Sequence, residues 1–300
     1  MNDSRKILSK LNNGHPVFSV EFFPPKTEEG ARQILRTANA IRRYQPDFVS
    51  ITYGAGGSSR ERTIDYGELL RDLFEFEVMP HLTCVGHSRD ELAKILERFQ
   101  QSDFHNIMTL RGDPPKGQDN FEPHPDGLRY ASDLVSFIRE RFPEFCLGVG
   151  GYPEMHPEAP SLETDLANLK TKVDAGADFI TTQLFFENKD FFTWVAKCRE
   201  LGIDIPIVPG IMAALNYDQV HKFCGFCGAS VPEGLAKQLE AVKDDESASA
   251  AVGVEWAFQQ IRQLLDNGAP GVHLYILNRS GPAVELLDKL HDAGCIQRPA

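Results

Sequence analysis

CLGVGGYPEMHPEAPSLETDLANLKTKVDAGADFITTQL, residues 146–184, reads as one strand–helix–strand step. Cys146–Gly151 is a short strand-like run. Ser161 then stands as an N-cap before Leu162, Leu166, Leu169 and Val173, which recur at helical spacing. Gly176 is a helix stop, and Phe179–Leu184 resumes a strand. The same alternation runs along the whole chain. The further strands predicted are Val17–Phe22, Asp47–Thr52, Val78–Thr83, Asn106–Leu110, Ile205–Val208 and Val272–Leu277. Eight β→α units in series, with no long pure-β region, indicate a parallel sheet. Eight is also the number that closes a (β/α)8 TIM barrel, with a doubly wound sheet as the second choice. The long gap between Val208 and Val272 predicts extra helices inserted between strands 7 and 8, with KDDESASA (243–250) a solvated loop or a helix start. No solenoid repeat or linker interrupts the pattern, so residues 1–300 are expected to form one domain.

The totals narrow the function. A chain of 300 residues that is 42% apolar can bury one large core. A formal net charge of −12 argues against nucleic acid and anionic membrane surfaces as partners. The first residues, MNDSRKILSKLNNGHP, lack a secretory apolar stretch, and no run approaches the roughly 18 apolar residues of a membrane span. A cytoplasmic location is expected. Six irregularly spaced cysteines do not form a disulfide framework. Cys224 and Cys227 make a single CxxC with only His221 near enough to help, short of the ligands a structural zinc needs, and a loop closing a helix is the expected reading.

In a barrel, chemistry gathers at the C-terminal ends of the strands. Those ends carry Glu21, Thr52-Tyr53-Gly54, His81 with Thr83, Arg111-Gly112-Asp113, Tyr152, Gln183, a Pro209-Gly210 turn and Asn278-Arg279. Together they predict a polar rim around one pocket. GAGGSS (54–59) has serine where the third glycine of a dinucleotide fingerprint would stand, and Walker A, HExxH and GxSxG motifs are absent. Glu21 raises its own question, because it lies between Val20 and Phe22-Phe23 in FSVEFFPPKT (18–27). An ionised glutamate among aromatics is costly unless it is paired or protonated. It is either a core group paired with an arginine, or an acid weakened by desolvation for use.

The motifs VEFFPPK, SITYGAGG, PHLTC, LRGDPP, GYPEMHPEA, DLANLKTKVDAGAD, TTQLFF, VPGIM and LNR occur in the order and approximate spacing of the methylenetetrahydrofolate reductase family. The chain resembles that family from about Phe18 to Arg279, in its short, bacterial-type form, and the regulatory domain of eukaryotic relatives is not expected. The resemblance implies a flavoprotein oxidoreductase of one-carbon metabolism. It implies an FAD-containing barrel that passes hydride from NADH or NADPH to FAD, and then to 5,10-methylenetetrahydrofolate. The product, 5-methyltetrahydrofolate, supplies methyl groups for methionine synthesis. Homo-oligomers are usual in the family.

Roles carried over by the resemblance follow its motifs. Glu21 matches the general acid that protonates N10, and an apolar neighbourhood of Phe22 and Phe23 is expected to keep it protonated. Asp113 matches an aspartate beside flavin and pterin; its plainer reading is a turn residue before Pro114-Pro115. Cofactor contacts are implied at Thr52, Tyr53, Ala55, His81, Arg111, Gly112, Asp113, Tyr130, Ala131, Tyr152, His156, Asp165, Asn168 and Lys172. Arg111 and Lys172 suit the FAD diphosphate as counter-charges, although a lone Lys172 also reads as a solvated surface lysine. Thr171 stands where several relatives have arginine, which weakens the adenosine-end contact. Substrate contacts are implied at Asp113, Gln183, Gln219 and Arg279, each with a structural alternative. Three other readings stay open: a proline dehydrogenase-like flavin barrel, a non-catalytic folate- or flavin-binding protein, and an enzyme served by a separate electron-donor subunit.

Overall fold

The computed structural model describes residues 4–54, 60–113 and 122–296. Its strands are β1 (Val17–Phe22), β2 (Phe48–Ile51), β3 (Val78–Thr83), β4 (Asn106–Leu110), β5 (Cys146–Gly151), β6 (Phe179–Thr182), β7 (Ile207–Val208), β8 (Gly210–Ile211) and β9 (Gly271–Tyr275). The helices of the first half are α1 (Ile7–Leu11), α2 (Glu28–Arg42), α3 (Arg60–Phe74), α4 (Arg89–Gln101) and α5 (Ala131–Arg141). Those of the second half are α6 (Leu162–Asp174), α7 (Asn188–Glu200), α8 (Tyr217–Cys227), α9 (Glu233–Ala241), α10 (Glu246–Asp266) and α11 (Ser280–Asp292).

All neighbouring strands pair in parallel, in the order β7-β6-β5-β4-β3-β2-β1-β9-β8. The first and last members of that order are consecutive in sequence, so the sheet is a nearly closed barrel flanked by helices. Helices α8, α9 and α10 lie between β8 and β9, where the extra helices are expected. The KDDE segment starts a helix: Asp245 caps α10 by accepting from the Ser247 and Ala248 amides. Among the described residues no helix is long and apolar enough to cross a membrane.

The seventh strand departs from expectation. It is split by Pro209, and Gly210 does not turn the chain but resumes a strand. β7 pairs with β6, and β8 pairs with β9. Proline has no N–H to continue a ladder. Across the break the Gly210 amide donates instead to Thr182 Oγ1 at 2.9 Å, while the Pro209 carbonyl accepts from the His273 amide at 2.9 Å.

Strand pleating sorts the side chains. Phe18, Val20 and Phe22 face outward into the layer shared with Ile34, Ala38 and Ile41 of α2. Val17 faces inward, joining Phe48, Met79, Met108, Cys146, Phe179 and Val208 in a separate apolar plug. Ile7 and Leu11 of α1 close that plug from below, a helix not anticipated from the sequence. Asn106 fixes α1 in place, accepting from the Ile7 amide at 2.8 Å and donating to the Arg5 carbonyl at 2.9 Å. The bottom of the barrel is filled by these apolar side chains. The polar inward positions therefore lie above it, toward the strand C-termini.

Candidate active site

At the C-terminal ends of the strands the barrel opens into a cavity of about 580 Å³. Glu21, Thr52, Tyr53, His81, Arg111, Gly112, Asp113, Tyr152, His156 and Gln183 all line it, so most of the expected site residues do converge. Ala55 lies outside the described residues, as does the rest of GAGGSS beyond Gly54.

Glu21 is buried at the floor of this mouth. Three groups approach one of its oxygens, Oε2. Ser50 donates to it at 3.3 Å, His81 Nε2 lies 3.3 Å away, and His273 Nε2 lies 3.7 Å away. Burial is the largest single influence on the carboxyl and pushes its pKa up. His273, His81 and Ser50 together outweigh burial and hold it below its ordinary value of 4.5. His81 is itself pushed down to about 4 by burial, against the opposing pull of Glu21. With His81 neutral, the carboxylate is held chiefly by His273 and Ser50.

This corrects the expectation that Phe22 and Phe23 keep Glu21 protonated. Residues adjacent on a strand point to opposite faces. Phe22 is buried on the outer face, and Phe23 is 39% exposed at the rim. The groups that meet its carboxyl are polar: Ser50, His81 and His273. The alternative of a core glutamate paired with arginine is not found either, since the partners are imidazoles and a hydroxyl.

Three polar atoms on the mouth are buried without a hydrogen-bond partner: Thr83 Oγ1, Thr181 Oγ1 and the same His81 Nε2 that lies beside Glu21. Buried polar groups in proteins are almost always paired, so unpaired ones converging on one cavity indicate a ligand. Gly112 adds a close backbone approach. Its φ is +91°, and a Cβ there would meet Val85 at 2.5 Å and Thr83 at 2.9 Å. Tyr275 spans the mouth by donating its hydroxyl to the Thr182 carbonyl at 2.6 Å. Gln183 accepts from the Leu184 amide through Oε1 at 2.8 Å, which leaves its amide nitrogen for the cavity.

The two expected counter-charges are differently placed. Arg111 makes a two-pronged pair with Glu158, at 2.6 Å on each prong, so it must exchange that carboxylate to hold a diphosphate. Lys172 is half-buried, not solvated. It reaches from α6 to donate to the Gly150 carbonyl at 2.5 Å, and burial pulls its ammonium down to about 8. Asp165, two turns earlier on the same helical stripe, accepts from the His156 amide at 3.0 Å and so ties α6 to the GYPEMHPEA loop. Asn168 is exposed on the same helix.

Tyr130 and Ala131 sit at the start of α5 and do not line the mouth. Gln219 is in the first turn of α8. Arg279 opens on a small adjoining crevice that shares Tyr275 and Leu277 with the mouth. Its neighbour Asn278 is structural: it accepts from the Phe23 amide at 3.0 Å and donates to the Phe23 carbonyl at 2.8 Å, joining the ends of β1 and β9. Cys224 and Cys227 occupy the last turn of α8 and not a loop, with left-handed Gly228 ending the helix. All six cysteines are free, and no group of metal-ligating side chains occurs among the described residues.

Sequence reasoning missed Ser19, Ser50, His273 and Tyr275. The signal was present as a period of two, with Ser19 and Glu21 on β1, and His273 and Tyr275 on β9, all on inner faces.

The family model described as methylenetetrahydrofolate reductase matches residues 6–291. "Methylenetetrahydrofolate reductase (NADH) 1" of Arabidopsis thaliana is 39% identical over 295 residues, covering 95% of this chain and 50% of that protein. "5,10-methylenetetrahydrofolate reductase" of Escherichia coli is 37% identical over 262 residues, covering 87% of this chain and 86% of that one. The chain thus spans about half the length of the plant relative. Among solved structures, an uncharacterized Clostridium thermocellum protein that binds two copies of 5-methyl-5,6,7,8-tetrahydrofolic acid superimposes with a TM-score of 0.67 at 16% identity. That match covers 96% of this chain and 98% of the other, and it speaks to the fold alone.

Proposed function

The chain belongs to the methylenetetrahydrofolate reductase family, and from that premise we propose that it reduces 5,10-methylenetetrahydrofolate to 5-methyltetrahydrofolate with NADH or NADPH, through FAD. The observation that carries this reading is the arrangement at the mouth. A buried carboxyl is held through one oxygen, beside three unpartnered polar atoms, at the place where a barrel binds its ligands. Membership of this family also removes the grounds for a proline dehydrogenase-like reading.

The residues suit a flavin. His81 Nε2, Thr83 Oγ1 and Thr181 Oγ1, which lack hydrogen-bond partners, fit a heterocycle with donors and acceptors on its edges, and Gly112 lines the same cavity. Lys172 and Arg111 would hold the diphosphate, the latter by leaving Glu158. FAD supplies a site that takes a hydride from one substrate and returns it to the other.

Glu21 supplies the proton. Ring opening of methylenetetrahydrofolate requires protonation at N10, and a carboxylic acid in reach performs it. In the open mouth the carboxyl is ionised at neutral pH, because its pKa is lowered. A pterin seated over Glu21 strips the remaining water from it, which raises the pKa and loads the proton. Asp113, exposed at the rim, contributes a negative charge that stabilises the cationic iminium produced by ring opening. The Gln183 amide nitrogen is available to a pterin edge or a nicotinamide carboxamide in turn.

The purified protein should be yellow, bleach with anaerobic NADH or NADPH, and recover its colour when methylenetetrahydrofolate is added. Bleaching by proline, or none with either nicotinamide, overturns the reading. Glu21→Gln should lower the folate half-reaction by about 10²–10⁴-fold relative to the nicotinamide half-reaction of the same variant. Near wild-type folate reduction in Glu21→Gln removes the acid assignment.

A further inference from the structure

We propose that His273 is a positioning residue for Glu21, anchoring its Oε2 so that Oε1 is the oxygen presented to bound folate; this rests on Glu21 being the acid.

The three contacts to Glu21 that come from other strands all fall on Oε2. Two of them depend on each other. Ser50 donates to Oε2, and its oxygen is also 3.3 Å from His273 Nε2. A hydroxyl that donates to the carboxylate has lone pairs left for the imidazole, so Nε2 carries the proton in this tautomer. The same N–H faces Oε2 at 3.7 Å. Nδ1 is then the acceptor, and Ser19 stands 2.8 Å from it, closer than its other contact, the Val272 carbonyl at 3.3 Å. Phe48 lies parallel to the ring at 9°, with centroids 5.9 Å apart, and Tyr275 meets it edge-on at 5.3 Å.

The imidazole is 1% exposed, so neither its plane nor its tautomer is set by solvent. The order is Ser19, His273, Ser50, Glu21, running from β1 through β9 and β2 back to β1. The strand register brings these residues level: Ser19 is opposite His273, and Glu21 is opposite both Ser50 and Tyr275. The titratable groups facing Glu21 are His81 from β3, and His273 and Tyr275 from β9; β2 presents the Ser50 hydroxyl. His81 lacks a hydrogen-bond partner at Nε2, so it approaches the carboxylate without fixing it, whereas His273 is fixed on both sides.

The experiment measures the full pH profile of the folate half-reaction, divided at each pH by the nicotinamide half-reaction of the same variant. His273→Asn keeps an amide near the Ser19 side and loses reach to Glu21. His273→Gln places an amide nitrogen near Nε2. The Asn variant should lower the low-pH plateau about 10- to 100-fold and move the falling limb up by about one to two pH units, as expected for losing a hydrogen bond to a charged group. The Gln variant should recover most of the plateau. Should the Asn variant fail to fold, Ser19→Ala decides, because it frees the ring on its far side alone and should move the same limb upward by a smaller amount. A wild-type plateau and limb in His273→Asn, or in Ser19→Ala where that variant decides, overturns the proposal. So does equal loss in the Asn and Gln variants, which is the mark of a merely structural role. Glu21→Gln is measured alongside. If that variant still reduces folate, the acid assignment has failed. If it does not, while the His273 and Ser19 variants behave as wild type, the positioning role alone has failed.

Discussion

At the floor of the mouth a carboxyl and an imidazole are both held away from their ordinary ionisation, and the imidazole makes the sharper prediction. His81 is buried and pushed down from 6.5 to about 4. Between those values the unfolded chain binds a proton that the folded chain refuses, so stability rises with pH across this window and is lost on acidification from 6.5 toward 4. The gap corresponds to about 3 kcal/mol at most. Glu21 acts in the same direction lower down. Its lowered pKa gives stability present above about 4.5 and lost as pH falls through the folded value. Denaturant unfolding at pH 7, 5.5 and 4 should show the decline, and His81→Asn should flatten it above pH 4. An unchanged slope in that variant would assign the acid sensitivity elsewhere. Glu21 itself was legible in the sequence, because a carboxylate among aromatics is conspicuous. Its surroundings were not, because the neighbours that matter come from β2, β3 and β9, which are far away along the chain.

At the scale of elements, the alternation of strand and helix was readable along most of the chain, since the longer helices carry their own periodicity and several carry side-chain caps. The N-cap at Ser161 is an instance: its side chain accepts from the Thr164 amide, as expected. What one-dimensional reading lost was the inner face of each strand. Ser19 and His273 carry no local signal of their own, because only the strand registry sets them side by side. The seventh strand was lost for another reason. Its two halves are two residues each, too short to show a pattern, and Pro209 suggested a turn. The structure gives that site a test. A Cβ on Gly210 would stand 2.3 Å from the Thr182 carbonyl oxygen and 2.6 Å from the Tyr275 ring. Neither can yield cheaply, because Tyr275 donates to that same carbonyl. Gly210→Ala should therefore cost about 1–3 kcal/mol, as overpacked sites do. It should also displace Tyr275 from the mouth, lowering ligand affinity as well as the thermal midpoint. A variant with wild-type midpoint and affinity would show that the closure at Pro209 is looser than drawn.

Taken whole, the barrel divides its labour between its two ends. The lower interior is apolar and closed by α1, while the upper interior is polar and partly unpartnered. Polar groups left without partners cost stability, so the mouth is held open against its own energetics by packing elsewhere. Much of that packing is the plug in which Ile7 is fully buried among Val17, Phe48, Met79 and Phe179. A helix of five residues shows no periodicity, which is why the sequence did not disclose it. The division predicts that the two ends can be perturbed separately. Ile7→Ala removes buried methylenes from the plug and should cost about 2–5 kcal/mol of stability. At a few degrees per kcal/mol for a chain of this size, the thermal midpoint should drop by roughly 5–15 °C. The ratio of folate to nicotinamide half-reaction rates, measured well below that midpoint, should stay at its wild-type value, because the groups at the Glu21 carboxyl are Ser50, His81 and His273, and the plug meets them through Phe48 stacked on His273 and not through Ile7 itself. If the ratio falls along with the midpoint, the plug and the mouth are mechanically coupled, and the floor on which Glu21 rests is set by α1 as well as by the strands.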